Sequence, residues 1–413
     1  MDTARADALT TRDRLALRGW IPARSESFRH LPPPGVETWL GDTTHPATAD
    51  GNASPLSGAG WTLHPVGGTP PVGVSARWLD ASDPAQRAEL FAGLPLPGEG
   101  DAAPFAWAHR ALCRQGLRLR IGGTPATDTG KTVWLHLRHQ PRTRVEAPLL
   151  VVDVQDGVRC VLIETHEREP AQCGYPLVQN LHIHLHVGHG ATLQHLRMAT
   201  PAAEDQIAHI VHARLDQGAQ YAQALVASDS AYHLQRSALD LQGIHASART
   251  AGVLLASSSV LEQQVQALHN AAHTHSAVEA LVLASGKAHA VANAHTRIAP
   301  GASEANVRQR LSGIPLAGQP RLVLRPHLEI HHDKVQAAHG ATWGALPEDA
   351  LFYARQRGLD EASARTLIIE GMATALLERC FDAPDLLATL EEDGLLARTL
   401  ARHLTTTEEP HHG

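Results

Sequence analysis

The densest run of chemistry-bearing residues reads Arg325-Pro-His-Leu-Glu-Ile-His-His-Asp-Lys-Val-Gln-Ala-Ala-His-Gly-Ala-Thr342. Imidazole and carboxylate are both donors to iron or zinc. Alternation about Leu328 and Ile330 puts Glu329 and His331 on one face of a strand. His339-Gly340 reads as a turn before a helical segment. The bland alternative is a polar strand end or a buried interface. His182, His184 and His186 alternate with Leu181, Ile183, Leu185 and Val187. Residues two apart on a strand stand roughly 7 Å apart, so neighbours can share a metal only with help from an adjacent strand. A polar outer face is the ordinary reading of that triplet. His269, His273 and His275 form a looser group around Asn270 and Thr274. Neither of these two groups brings the paired carboxylates of metal-assisted hydrolysis.

Other motifs narrow the chemistry by failing. Thr129-Gly-Lys-Thr132 resembles the end of a phosphate-binding loop, but Pro125 stands where the pattern needs glycine. The next residues, Val133–Leu137, alternate as a strand where a helix should receive the phosphate, so a hairpin turn is expected. No G-x-S-x-G elbow is present. Cys113, Cys160, Cys173 and Cys380 form no C-x-x-C pair, which excludes a zinc ribbon or a ferredoxin-type cluster.

The elements that must position these residues change period along the chain. A helix over Asp7–Arg18 leads into Gly19-Trp-Ile-Pro22 and a Pro/Gly/Thr-rich stretch to about Gly73. Two helices follow. One spans Asp83–Leu94 with Asp83 as cap and Pro84 at the first position; the other spans Pro104–Arg114, closed by Gly116. From Leu117 to about Thr342 the period is two, in short runs ended by turns such as Gly188-His-Gly190, Gln217-Gly218 and Pro300-Gly301. Val187-Gly-His-Gly-Ala-Thr-Leu193 resembles Leu215-Asp-Gln-Gly-Ala-Gln-Tyr221, as stacked coils would, although a sandwich fits the pattern nearly as well. After Gly344 the period is helical. Pro347–Arg357 ends at Gly358. Asp360 caps a second helix with Ala364, Leu367, Ile368, Gly371 and Ala375 on one face. A third helix is expected over Leu386–Leu404, interrupted at Gly394, before a polar, disordered tail.

Composition bounds the rest. The 413 residues exceed one ordinary domain unless a repeat extends it. With 43% hydrophobic but only 4% aromatic residues, the core is aliphatic. A net charge of −7 argues against a nucleic-acid binder or a basic membrane-surface protein. Met1–Trp20 lacks the apolar segment of a signal peptide, and runs such as Ala147–Val152 are too short to span a bilayer. The expectation is a cytoplasmic protein whose 28 histidines are mostly polar surface.

Pro326-His-Leu-Glu-Ile-His-His-Asp-Lys-Val, His339-Gly-Ala-Thr and Leu351-Phe-Tyr-Ala-Arg-Gln-Arg-Gly-Leu359 closely resemble the C-terminal signature shared by SufB and SufD proteins of iron–sulfur cluster assembly. His273-Thr-His-Ser276, Phe105–Ile121 and Gly19-Trp-Ile-Pro-Ala-Arg-Ser-Glu26 resemble further segments of that family. Moderate length and missing cysteines favour its SufD branch. The resemblance implies a mainly β chain: a right-handed parallel β-helix over 117–344, a helical and loop region over 1–116, and a helical domain over 345–413. It implies a non-catalytic scaffold with no permanent cofactor, a transient iron–sulfur cluster, a SufB heterodimer through the β-helix, and a SufC ATPase on the C-terminal helices, and it leaves open a homodimer in isolation. Phe352, Tyr353 and Arg357 are the candidate partner contacts. The family's metal-linked histidine falls on His339, its neighbouring cysteine on Ala337, and the second aspartate of its D-D pair on Lys334. Leu367, Ile368 and Ala375 are expected to pack the C-terminal helices together, and the β-helix to stay soluble without residues 346–413. The rival readings are a β-helix polysaccharide-active enzyme, for which no carboxylate cluster is evident, and a His-rich metal chaperone.

Overall fold

The computed structural model describes residues 3–405 apart from 23, 42–55, 59, 66–72, 123–131, 142, 167–174, 383–385 and 387–393. The Thr129–Lys131 turn, Cys173 and the tail after Thr405 lie outside the described residues. From Gln115–Ile121 onward the strands alternate between two sheets, each coil adding a strand to both in parallel register. The result is a parallel β-helix. The two sequence copies coincide in space: Val187 lies beside Leu215, and Leu193 beside Tyr221. Within each copy the chain turns through a left-handed residue, Gly190 (φ 61°) in the first and Gly218 (φ 66°) in the second. His245, His273 and Glu304 take the same conformation in later coils without glycine, so the repeat fades in sequence while persisting in structure.

Alternation sorts the side chains. Leu162, Leu193, Leu181, Ile183, Val211 and Leu239 point between the sheets and are fully or nearly fully buried. At one side of this bore the filling turns polar. Glu164 accepts from Arg197 Nε and Nη2, both at 3.2 Å, and from His195 at 2.9 Å, and also bonds His166. Arg197 reaches across to Gln235 Oε1 of the opposite sheet at 3.0 Å. Burial pushes the Glu164 carboxyl up, but the Arg197 guanidinium and the two histidines outweigh it and hold it well below the ordinary range.

The outer faces are covered as well. Phe105, Trp107 and Trp39 of the N-terminal region bury Val178, Ala208, Ile210 and Leu234 on one sheet. The long helix Glu361–Cys380 buries Leu196, Val226, Val253 and Leu283 on the other. Among the described residues no helix is long and apolar enough to cross a membrane.

Several expectations need correction. Residues 1–116 are not only helix and loop: Trp61–Pro65 and Val74–Asp80 pair antiparallel with Val133–His139 and Gln115–Ile121 and blunt the starting edges of both sheets. Their local composition is that of a loop, and only the long-range pairing makes them strands. Asp83 caps its helix through Gln86 N at 2.8 Å, but that helix ends at Leu90. Gly116 is not a helix cap. It lies within a strand, where a Cβ would stand 2.6 Å from Leu149 O. The buried stripe of the long C-terminal helix is Ala364, Ile369, Ala373, Leu376, Leu377 and Cys380, whereas Leu367 is 55% exposed. In a helix this rich in Ala, Leu and Ile, two apolar stripes can be drawn at i, i+3, i+4 spacing, and the sheet beneath selects one.

Candidate functional site

The final coil is the place where the β-helix lacks a neighbour. Arg321–Ile330 is the edge of one sheet and Val335–Trp343 the edge of the other. Ala337, His339, Ala341 and Trp343 stand in register with the inward-facing Val307, Gln309, Leu311 and Gly313. They share the bore-facing side of a coil on which no further strand stacks among the described residues. Opposite them, Leu322, Leu324 and Leu328 line the same open mouth. His339 is exposed and Trp343 is 60% exposed. His339-Gly340 therefore forms no turn. Both residues belong to the last strand, because that strand continues the register of Ala305–Gly318 through to Trp343. Glu329 and Asp333 are not hydrogen-bonded to His339; Glu329 is engaged elsewhere, by His331 at 2.7 Å, Arg297 at 3.4 Å and His295 at 3.5 Å. The His331 hydrogen bond leads the interactions that hold Glu329 below the usual carboxylate range.

Beyond the last strand in sequence, the helix Glu348–Gln356 exposes Phe352 (65%) and Tyr353. Arg357 lies over the Tyr353 ring, 4.3 Å from its centroid. Tyr353 and Arg357 thus form one aromatic and cationic contact on the exposed side of the helix, with Phe352 exposed beside them in sequence. Asp360 caps the next helix through Ser363 N at 2.7 Å. Bare edge strands, an exposed Trp and an exposed aromatic pair are features suited to contact with other protein chains.

The other histidine groups separate. His269 is consumed by Thr274 Oγ1 at 2.7 Å and Ser276 Oγ at 2.8 Å, and it does not join His273 and His275 as a cluster. His182 and His184 are not on a polar outer face, because the N-terminal region covers that sheet and leaves His182 only 2% exposed. The bore network around Glu164 was missed altogether. Its only trace in sequence is that Glu164, His195 and Arg197 occupy inward positions in otherwise apolar strands.

The fold is a parallel β-helix with helices over both outer faces and two unpaired strand edges at its final coil among the described residues. Residues 137–372 match the family model described as SUF system FeS cluster assembly, SufBD core domain, and the chain belongs to that family. It is 26% identical over 242 residues to the iron–sulfur cluster assembly SufBD family protein slr0076 of Synechocystis, covering 56% of this chain and 52% of that protein. It is 29% identical over 120 residues to the iron–sulfur cluster assembly protein SufD of Escherichia coli, covering 29% and 26% respectively. It is also 30% identical over 98 residues to the chloroplastic protein ABCI7 of Arabidopsis thaliana, covering 24% and 21%. The matched region thus spans about half the length, or less, of these curated relatives.

Proposed function

We propose that the chain is a non-catalytic, SufD-type scaffold subunit for iron–sulfur cluster assembly. Its open coil pairs with a SufB paralogue, and its C-terminal helices dock a SufC ATPase. The observation that carries this reading is the bare final coil, with two unpaired edge strands and His339 on the bore-facing side. Unpaired strand edges are an aggregation liability unless a partner or a charge covers them. Stacking a partner coil here would place His339 at the junction, where the nascent cluster is cargo. Ala337 carries no thiolate, so the sulfur ligands come from the partner. The exposed Phe352, Tyr353 and Arg357 serve as the second docking surface, of the aromatic and Arg type that dominates interface energetics.

The His339→Ala variant tests the ligand role. The His339 side chain makes no hydrogen bond or ion pair with another described residue and stands exposed in the isolated chain, so its removal leaves thermal stability within about 0.5 kcal/mol of wild type. Complex formation is expected to remain normal while cluster assembly on the reconstituted complex drops at least tenfold. Unchanged assembly would refute the ligand role, and a lost complex would recast His339 as a packing residue of the interface.

A further inference from the structure

The sequence places His182 and His184 on one strand and His212 on the next coil; the fold brings them together. His184 lies directly opposite His212, and His182 opposite Ile210. The rings of His184 and His212 stack with centroids 4.9 Å apart and planes 17° from parallel, and His182 stands 5.9 Å from His212. One ring nitrogen from each of the three lies within 4.8 Å of the others. A tetrahedral cation with metal–nitrogen bonds of about 2.0–2.1 Å needs those nitrogens roughly 3.3 Å apart. Small side-chain rotations therefore close the set.

A second observation points to a ligand. His182 is 2% exposed, and its Nε2 has no hydrogen-bond partner. A buried ring nitrogen left unpaired is costly and asks for an occupant. His109 cannot satisfy it as it stands. Its ring lies tilted 36° against that of His182 with centroids 4.3 Å apart, and it spends its own Nε2 on Pro148 O at 3.0 Å. The nearby cations are engaged elsewhere: Arg118 donates to the carbonyls of Glu89 and Ala92 at 2.7 and 2.9 Å, and Arg236 to Gln264. Neutral imidazole is the form that ligates. Three imidazoles without carboxylate or thiolate suit zinc-class first-row cations rather than calcium or magnesium.

We propose that His182, His184 and His212 form a three-imidazole site for a zinc-class divalent cation, with the half-buried His184 and His212 leaving one coordination position open to water. The site lies beneath the N-terminal helices, away from the open coil, and stands or falls independently of partner assembly. His186 is the natural control, because its two nitrogens already face Asp153 at 2.9 Å and Asp216 at 2.8 Å.

The test is titration of the full-length chain with cobalt(II), whose tetrahedral complexes absorb in the visible. One equivalent is expected to give these bands, and zinc(II) to displace them. His184→Gln and His212→Gln should each weaken binding at least tenfold, and His186→Gln should leave it unchanged. X-ray absorption at the cobalt edge of the wild-type protein, which depends on no variant, should report three imidazole shells. Absence of the bands in wild type, wild-type affinity in either His184→Gln or His212→Gln, loss of affinity in His186→Gln, or fewer than three imidazoles would each overturn the assignment.

Discussion

Moved from pH 7.5 to pH 5.5, the protein is expected to lose at least about 4 kcal/mol of unfolding free energy, a large share of the ~5–15 kcal/mol typical of a folded domain. The cause is the histidines folded into the β-helix. Burial pushes His139 and His209 well below their ordinary value and pushes His233 and His269 down to about 4. In the unfolded chain the same residues titrate near 6.5. Below that pH the unfolded state binds protons that the folded state refuses. The stabilisation is therefore present above about pH 6.5 and is lost as pH falls toward the folded values, at about 1 kcal/mol for each of the four groups over this interval. Glu164 acts in a lower window, because its folded value lies below its unfolded one and its contribution goes only as pH falls through the carboxylate range. His186 runs the other way. Burial lowers it, but Asp153 and Asp216 raise it overall, so its contribution is present at low pH and lost as pH rises through its folded value. It is partly exposed and offsets little. Urea unfolding at the two pH values measures the sum. Equal midpoints would show that these imidazoles are not neutral and buried as described.

Deleting residues 346–413 is expected to give an aggregating chain, contrary to the sequence reading of a detachable domain. The long helix Glu361–Cys380 is the cover of one sheet. Ile369, Leu376 and Leu377 pack in the same cluster as Leu196, Val226, Val253, Leu255 and Leu283. Arg379 adds a 3.0 Å contact to Glu279, and Arg249 pairs with Asp382 just beyond the helix. Stripping the helix exposes an apolar sheet face several strands wide, larger than soluble proteins leave bare. A gentler probe keeps the fold: Ile369→Ala should cost about 2–5 kcal/mol, the usual range for a buried aliphatic truncated in place. Light scattering and gel filtration of the deletion decide the matter, and a monodisperse β-helix with unchanged thermal stability would contradict this packing.

What the sequence revealed and what it hid follow from the same physics. Strands with a buried side announce themselves by alternation, so the all-β character, the repeat around Val187 and Leu215 and the cap at Asp360 were readable, whereas a β-helix rather than a sandwich came from the family resemblance alone. Strands at Trp61–Pro65 and Val74–Asp80 were not, because their pairing partners lie tens of residues away. The site residues split in the same manner. His339, Phe352, Tyr353 and Arg357 were marked by motif, and all four are exposed. Whether a histidine faces solvent, as His182 and His184 were expected to, depends on which helix lands on the sheet, and strand periodicity carries no record of that. The network of Glu164, His195 and Arg197 is likewise invisible until two sheets are set face to face.

The most direct test of the scaffold reading is co-purification of the full-length chain with a SufB paralogue and a SufC ATPase, alongside two surface variants. Trp343 and Phe352 are both largely exposed in the free chain, so neither substitution should disturb folding. The account predicts that wild type recovers both partners, that Trp343→Glu loses the SufB paralogue while keeping the ATPase, and that Phe352→Glu does the reverse, each with affinity lowered at least tenfold. Wild-type chain recovered alone, or both variants holding both partners as well as wild type does, would contradict it.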